Sequence, residues 1–234
     1  MTIFLAGATG VIGRRLVPLL LKANHTVIGT TRSATRTAAI ARLGASAVVV
    51  DALDAAAIAR AVADSRATIL VHQLTDLSAT PNTPEFAAAL ERNARLRVEG
   101  TANLMAAARA AGVTRVIAQS VAFLYAAGDG PRTERDPVEP GGVSVGALAL
   151  ERAVMGTPGI EGIVLRYGYF YGPVTWSESP RLRPALHIDA AAHAALLAVT
   201  RGVPGIYNIA DDDGAVSIDK ARRELGFEPD VRGA

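Results

Sequence analysis

The 234-residue chain contains no cysteine. A disulfide framework, a thiolate zinc site and a thiol nucleophile are all excluded, and no metal site is expected. Lysine is nearly absent too, occurring only at Lys22 and Lys220, so the 24 basic residues are almost all arginine. They stand against 22 acidic residues for a net charge of +2 and are scattered along the chain. A nucleic-acid partner would need them clustered and interleaved with aromatics, so none is expected. No apolar run approaches the roughly 20 residues that span a bilayer, so no membrane partner is expected. No basic segment precedes the first apolar stretch as in a signal peptide, and the expected location is cytoplasmic.

Half of the residues are hydrophobic and 20% are charged, a composition far from that of disordered chains. Apolar runs of strand length alternate with alanine-rich stretches of helical period, the pattern of a parallel sheet covered on both faces. Residues 3–6, 26–31, 47–50, 68–72 and 113–119 read as strands, and 11–23, 34–43, 54–63 and 84–111 as helices. The last is punctuated by Thr83 as cap, Pro84 at the first helical position and Gly112 at its end. Pro18 should bend the first helix. After Ser120 comes a turn-rich loop over 128–142, then a helix near 146–155 and a strand at 160–166. The expected fold is an α/β Rossmann-type doubly wound parallel sheet in one domain over 1–234, with a dinucleotide-binding core at 1–166 and a reduced substrate-binding cap at 167–234.

One motif carries chemistry: Gly7-Ala8-Thr9-Gly10-Val11-Ile12-Gly13, directly after the first strand and opening the first helix. Gly7 permits a tight turn, Gly10 lets the backbone approach a pyrophosphate, and Gly13 lets the helix pack closely on the strand. Free N–H groups of the loop, which includes Thr9, Val11 and Ile12, and the positive end of the helix then face the phosphates. Arg14 and Arg15 are two cations in a first helical turn, which is unfavourable unless an anion lies nearby; the alternative is two solvated surface arginines.

With this spacing the sequence resembles the extended short-chain dehydrogenase/reductase family, the NAD-dependent epimerase/dehydratase group. Further stretches carry the likeness: Asp51-Ala52, Val71-His72-Gln73-Leu74, Asn93 with Gly100-Thr101-Ala102-Asn103, Leu165-Arg166, Tyr171-Gly172-Pro173, and the segment from Lys220 to Pro229. The resemblance implies an adenine contact at Asp51 and Ala52, a nicotinamide-ribose loop at Gln73 and Leu74, and a further cofactor position at Asn93. Asp51 could instead cap the next helix. Ser120 completes the cofactor-binding candidates, although in a regular strand it faces away from its neighbour Val121. At the end of the second strand, where NAD enzymes place an acid, the chain reads Thr30-Thr31-Arg32-Ser33. Arg32 could take a 2′-phosphate bidentately, with Arg36 assisting, so NADP is expected over NAD.

The family's catalytic Ser/Thr, Tyr and Lys fall on Val121, Val143 and Ala147 in this chain. None can move a proton. Tyr125 aligns with a structural tyrosine. Tyr167 and Tyr169 alternate along one strand and so face the same side, and Tyr169, at a position the family uses near the nicotinamide, is the candidate acid or orienter. His72 reads as a buried strand histidine and His25 as a turn residue. His187 and His193 are too far apart in sequence to imply a metal pair. The chain is short for the resemblance around Gly141, between Ser179 and His187, and between Asp213 and Ser217. These are either deletions or, as is favoured here, segments missing from the sequence as written. Two functions follow: an NAD(P)-dependent oxidoreductase or epimerase acting on a small carbonyl or alcohol, or a non-catalytic NAD(P)H sensor or scaffold. The long helix 84–111 could provide a homodimer face, as it does in the family.

Overall fold

The computed structural model describes residues 1–77 and 83–233. In chain order the elements are β1 (Thr2–Ala6), α1 (Gly13–Lys22), β2 (Thr26–Thr31), α2 (Thr37–Arg42), β3 (Ser46–Val49), α3 (Ala55–Ser65), β4 (Ile69–His72), α4 (Pro84–Arg95), α5 (Thr101–Ala110), β5 (Arg115–Val121), α6 (Val143–Met155), β6 (Glu161–Tyr167), β7 (Tyr169–Tyr171), β8 (Ala185–His187), α7 (Ile188–Thr200), β9 (Gly205–Ile209) and α8 (Asp219–Leu225). Seven strands form one parallel sheet in the order β3-β2-β1-β4-β5-β6-β9. The order reverses between β1 and β4, and there the carboxyl ends of the strands open a crevice. The expected Rossmann-type architecture is the one observed.

The central strands are apolar along their whole length because both faces are covered. Ile3, Leu5, Val71, Ile117 and Leu165 face α1 and α7, whereas Phe4, Leu70, Val116 and Val164 face α3, α5 and α6. α7 is alanine-rich and almost wholly buried, which lets it lie close on the sheet. Thr83 caps α4 through its hydroxyl, which accepts from the Phe86 amide at 3.2 Å. α1 continues through Pro18, which lies on its exposed face.

Two features differ from expectation. The stretch 84–111 is not one regular helix: a π-helical turn at Leu96–Gly100 separates α4 from α5. A Cβ at Gly100 would lie 2.9 Å from the Leu96 side chain and 3.5 Å from Ala52, so the turn rests closely on the loop after β3. The boundary drawn at residue 166 divides the sheet, since β9 is its seventh strand and α7 packs in the same core as α1. Around Gly141, one of the places where the chain looks short, Gly141 and Gly142 adopt φ of +93° and +52° just before α6.

Candidate active site

The glycine loop has the shape its spacing implies. Gly7 takes φ +97°, and a Cβ there would lie 2.9 Å from the Gln73 carbonyl, so only glycine fits between the ends of β1 and β4. A Cβ on Gly13 would stand 2.2 Å from the Gly7 oxygen, which is how closely α1 abuts the loop. At Gly10 the nearest atom to such a Cβ is the same oxygen, at 3.3 Å. Space above Gly10 is therefore open. Among the described residues the amides of Thr9, Val11 and Ile12 donate no hydrogen bond, leaving three N–H groups at the start of α1. A dinucleotide pyrophosphate fits this cradle.

The two arginines that follow find partners within the protein. Arg15 pairs with Asp189 of α7 at 2.7 Å and also donates to the Pro173 carbonyl at 2.7 Å, while Arg14 donates to the Thr9 carbonyl at 2.8 Å. The anion that offsets Arg15 is thus a side chain distant in sequence.

Around the crevice, Thr30 Oγ1 accepts from the Gly7 amide at 3.3 Å. Arg32 is more than half exposed and leans toward Asp76, with Nη2 to Oδ2 at 3.7 Å, and Arg92 reaches the same oxygen at 3.0 Å. Arg36 is exposed nearby. Asn93 is buried, and its Oδ1 accepts from the Asp76 amide at 3.1 Å, which fixes the loop that carries this acid. Asp51 is exposed and closes a turn by accepting from the Leu53 amide at 3.0 Å. The cap of α3 is Asp54 instead, accepting from Ala57. Ala52 is buried, with its carbonyl held by Asn103 at 2.9 Å. Gln73 is buried, and its amide faces the buried hydroxyl of Tyr167, neither group having another hydrogen-bond partner among the described residues. Leu74 donates its amide to Nδ1 of His72 at 3.2 Å, so the Nε2 of His72 carries the proton toward Thr101 at 3.0 Å. Burial, with Arg97 nearby, pushes the His72 pKa down to about 4.

Ser120 does not reach the crevice. It is fully buried and donates to Glu151 at 2.7 Å, on the side of the sheet opposite its neighbour, as regular strand geometry requires. Glu151 also receives two hydrogen bonds from Arg166, at 2.8 and 2.7 Å. Arg166 donates in turn to the Tyr125 hydroxyl, which donates to Asn208 at 2.6 Å. Ser120 and Tyr125 are therefore held in a buried structural network. Beside it lies a group that the sequence did not flag. Arg97, in the π-helical turn, is 2% exposed and makes no hydrogen bond or ion pair among the described residues. Burial lowers its pKa to about 10, against the supporting charge of Glu151.

Val121 and Ala147 are brought together: with Leu124 they form one small apolar cluster at the end of β5. Val143 begins α6, one turn before Ala147. Tyr167 and Tyr169 do not share a strand, because β6 ends at Tyr167 and β7 begins after Gly168. The Tyr167 ring is buried against Phe170, whereas the Tyr169 ring stacks on Phe123 with centroids 4.0 Å apart and planes 11° apart. Burial raises the Tyr169 pKa. Across the mouth, Phe86 of α4 meets Trp176 edge-on at 5.6 Å. Among the described residues no group of His, Asp and Glu could hold a metal ion, and no helix is long and apolar enough to cross a membrane.

Residues 7–170 match the model of a family described as NAD(P)H-binding. The chain belongs to this family. A 3-diazoavenalumate denitrifying reductase from a Streptomyces species is 37% identical over an alignment covering 98% of this chain and 83% of that protein. The alignment runs to 258 positions, so that relative has residues this chain lacks. UDP-glucose 4-epimerase from Thermotoga maritima superimposes with a TM-score of 0.84 at 18% identity, covering 99% of this chain and 94% of that one. The Bordetella bronchiseptica enzyme WbmG, in complex with NAD, gives 0.80 at 19% identity, covering 100% and 90%. The fold is thus that of the NAD-dependent epimerases, in accord with the resemblance. These relatives support an NAD(P)-dependent oxidoreductase of the reductase and epimerase type rather than a non-catalytic sensor.

Proposed function

We propose that this protein is an NAD(P)H-dependent reductase that replaces the nitrogen of a small diazonium substrate with hydrogen, and that it works without a proton relay. The observation that carries this reading is the apolar cluster of Val121, Leu124 and Ala147. Two of these residues occupy positions where the resemblance puts a Ser/Thr and a Lys, and Val143 takes the place of the Tyr. Hydride addition to a carbonyl leaves an alkoxide that needs a proton, and this cluster cannot give one. When bound, the reduced nicotinamide supplies a hydride, which at a diazonium carbon displaces dinitrogen with the electron pair of the broken C–N bond, so no proton is consumed. The reductase name of the 37% identical relative supports the same chemistry. The protein's own part is to bind, orient and exclude water.

The cofactor would be held by the loop from Gly7 to Gly13, with Thr9, Val11 and Ile12 presenting amides, by Asp51 and Ala52 at the adenine, and by Gln73 and Leu74 beside the ribose. Asn93 acts through the Asp76 loop. NADP is favoured over NAD by Arg32, supported by Arg36, since no acid ends β2. Tyr169 lines the substrate side. A homodimer through the stretch 84–111 is supported by Leu90 and Val98, large apolar side chains that are exposed there. The test is turnover: NADPH oxidation should depend on an arenediazonium substrate and release one dinitrogen per NADPH, measured by mass spectrometry. Turnover confined to simple aldehydes and ketones would contradict it.

A further inference from the structure

A cavity of about 430 Å³ opens directly beyond β5, bounded by Phe123, Tyr169, Tyr125, Arg132 and Arg183. Its size suits one ring with a short side chain. Two features give it a chemical preference. The first is the Phe123–Tyr169 stack, whose near-parallel rings make a flat, rigid wall. A planar unsaturated ligand can lie on such a wall.

The second is Arg132. Its backbone is clamped between two segments: the amide donates to Ala215 at 3.0 Å, and the carbonyl accepts from Ser217 at 2.8 Å and Asn208 at 3.1 Å. The side chain is only 17% exposed, and among the described residues it forms one ion pair, with Asp136 at 3.8 Å. The Oδ2 of Asp136 accepts from the amide and hydroxyl of Thr133, at 2.6 and 2.7 Å, and its Oδ1 is the oxygen turned toward Arg132. The Nη2 of Arg132 is buried without a hydrogen-bond partner. A Cβ at Gly128 would collide with that nitrogen, so the loop is shaped around the guanidinium. The part of the side chain that stays accessible lines the cavity, where a guanidinium fork matches a carboxylate. Arg183 adds a second cation at the rim, 3.6 Å from Asp213, and among the described residues no Asp or Glu lines the cavity.

We infer that this cavity takes a planar aromatic or conjugated carboxylate, with Arg132 anchoring the carboxylate and the Phe123–Tyr169 wall carrying the π system. The inference rests on the reductase reading for the identity of the site, and it adds the substrate class. Arg132 is a binding residue remote from the reacting carbon, so it acts on substrate affinity.

The test is calorimetric titration of the NADPH-loaded protein with cinnamate and with cinnamamide, which differ only in charge and donor pattern. Cinnamate should bind about tenfold tighter or more, as a charge-assisted pair implies. Arg132→Gln should remove that preference while leaving NADPH affinity unchanged, and Arg132→Lys should restore part of it. Equal binding of the two probes, binding of neither, or a preference that survives Arg132→Gln would overturn the inference. The wild-type comparison stands alone if the variant fails to fold. Failure of diazonium turnover with the cinnamate preference intact would sink the reductase reading alone.

Discussion

Gly10 and Gly13 lie three residues apart in one loop, yet alanine should act on them in different ways. At Gly13 the new methyl group would stand 2.2 Å from the Gly7 oxygen and 2.7 Å from Ala8 backbone atoms, none of which can rotate away. α1 would have to back off from β1, loosening Leu16, Val17 and Leu20 in the core. Overpacking of this kind costs about 3 kcal/mol, which for a chain of this size lowers the melting temperature by roughly 6–12 °C. At Gly10 the methyl meets a single oxygen at 3.3 Å, a contact that small adjustments relieve. The lost chain entropy of the unfolded state partly offsets it, so stability should change by less than about 0.5 kcal/mol. The Gly10 methyl would nevertheless occupy the open space assigned to the pyrophosphate and weaken NADPH binding by about tenfold or more, on the order of 1.4 kcal/mol. Thermal unfolding by circular dichroism reads the first effect. Quenching of Trp176, the only tryptophan in the chain, reads the second. The reasoning fails if Gly10→Ala binds NADPH as wild type does, or if it loses as much stability as Gly13→Ala.

Arg32→Ala should weaken NADPH about fivefold and leave NADH unchanged, a modest effect because the side chain is largely exposed; an equal loss for both would make it an ordinary surface charge. His72 should make the fold acid-sensitive. Its folded pKa, about 4, lies below the ordinary value of 6.5, so the penalty is absent above that value and grows as pH falls through the window between them. Stability should drop by about 2 kcal/mol between pH 7 and pH 5 from this group, and denaturant titrations of His72→Gln should show a shallower slope; an unchanged slope refutes it. Glu151→Gln leaves Arg166 buried without its counter-ion and should cost about 3 kcal/mol in urea unfolding, whereas a change near zero would mean that the pair is hydrated.

Much of the sheet was legible because β1, β4, β5 and β6 are apolar runs buried on both faces, and because Thr83 and Pro84 mark the start of a helix in plain chemistry. β7 and β8 were not, since three-residue strands carry no period to read. The π-helical turn left no mark of its own, although Asn93, Arg97 and Thr101 form a polar stripe that is entirely buried and could have flagged the inward face. The glycine motif was readable because its requirements are local. Arg15 was not, because the anion it meets lies 174 residues away. Asp76, the acid beside Arg32, was missed for the same reason: its place at the crevice depends on Asn93 and the loop after β4. Arg132 looked like one charge in a polar loop, and only the backbone clamp around it makes it a half-buried cation.

The central claim is hydride delivery with no proton from the protein, and isotopes separate the two most directly. With NADPH carrying deuterium at the transferred position and an arenediazonium carboxylate in ordinary water, the product should hold deuterium at the carbon that bore nitrogen. With unlabelled NADPH in deuterium oxide, that carbon should hold none. Solvent deuterium at that carbon, or product formed without cofactor deuterium, would contradict the account.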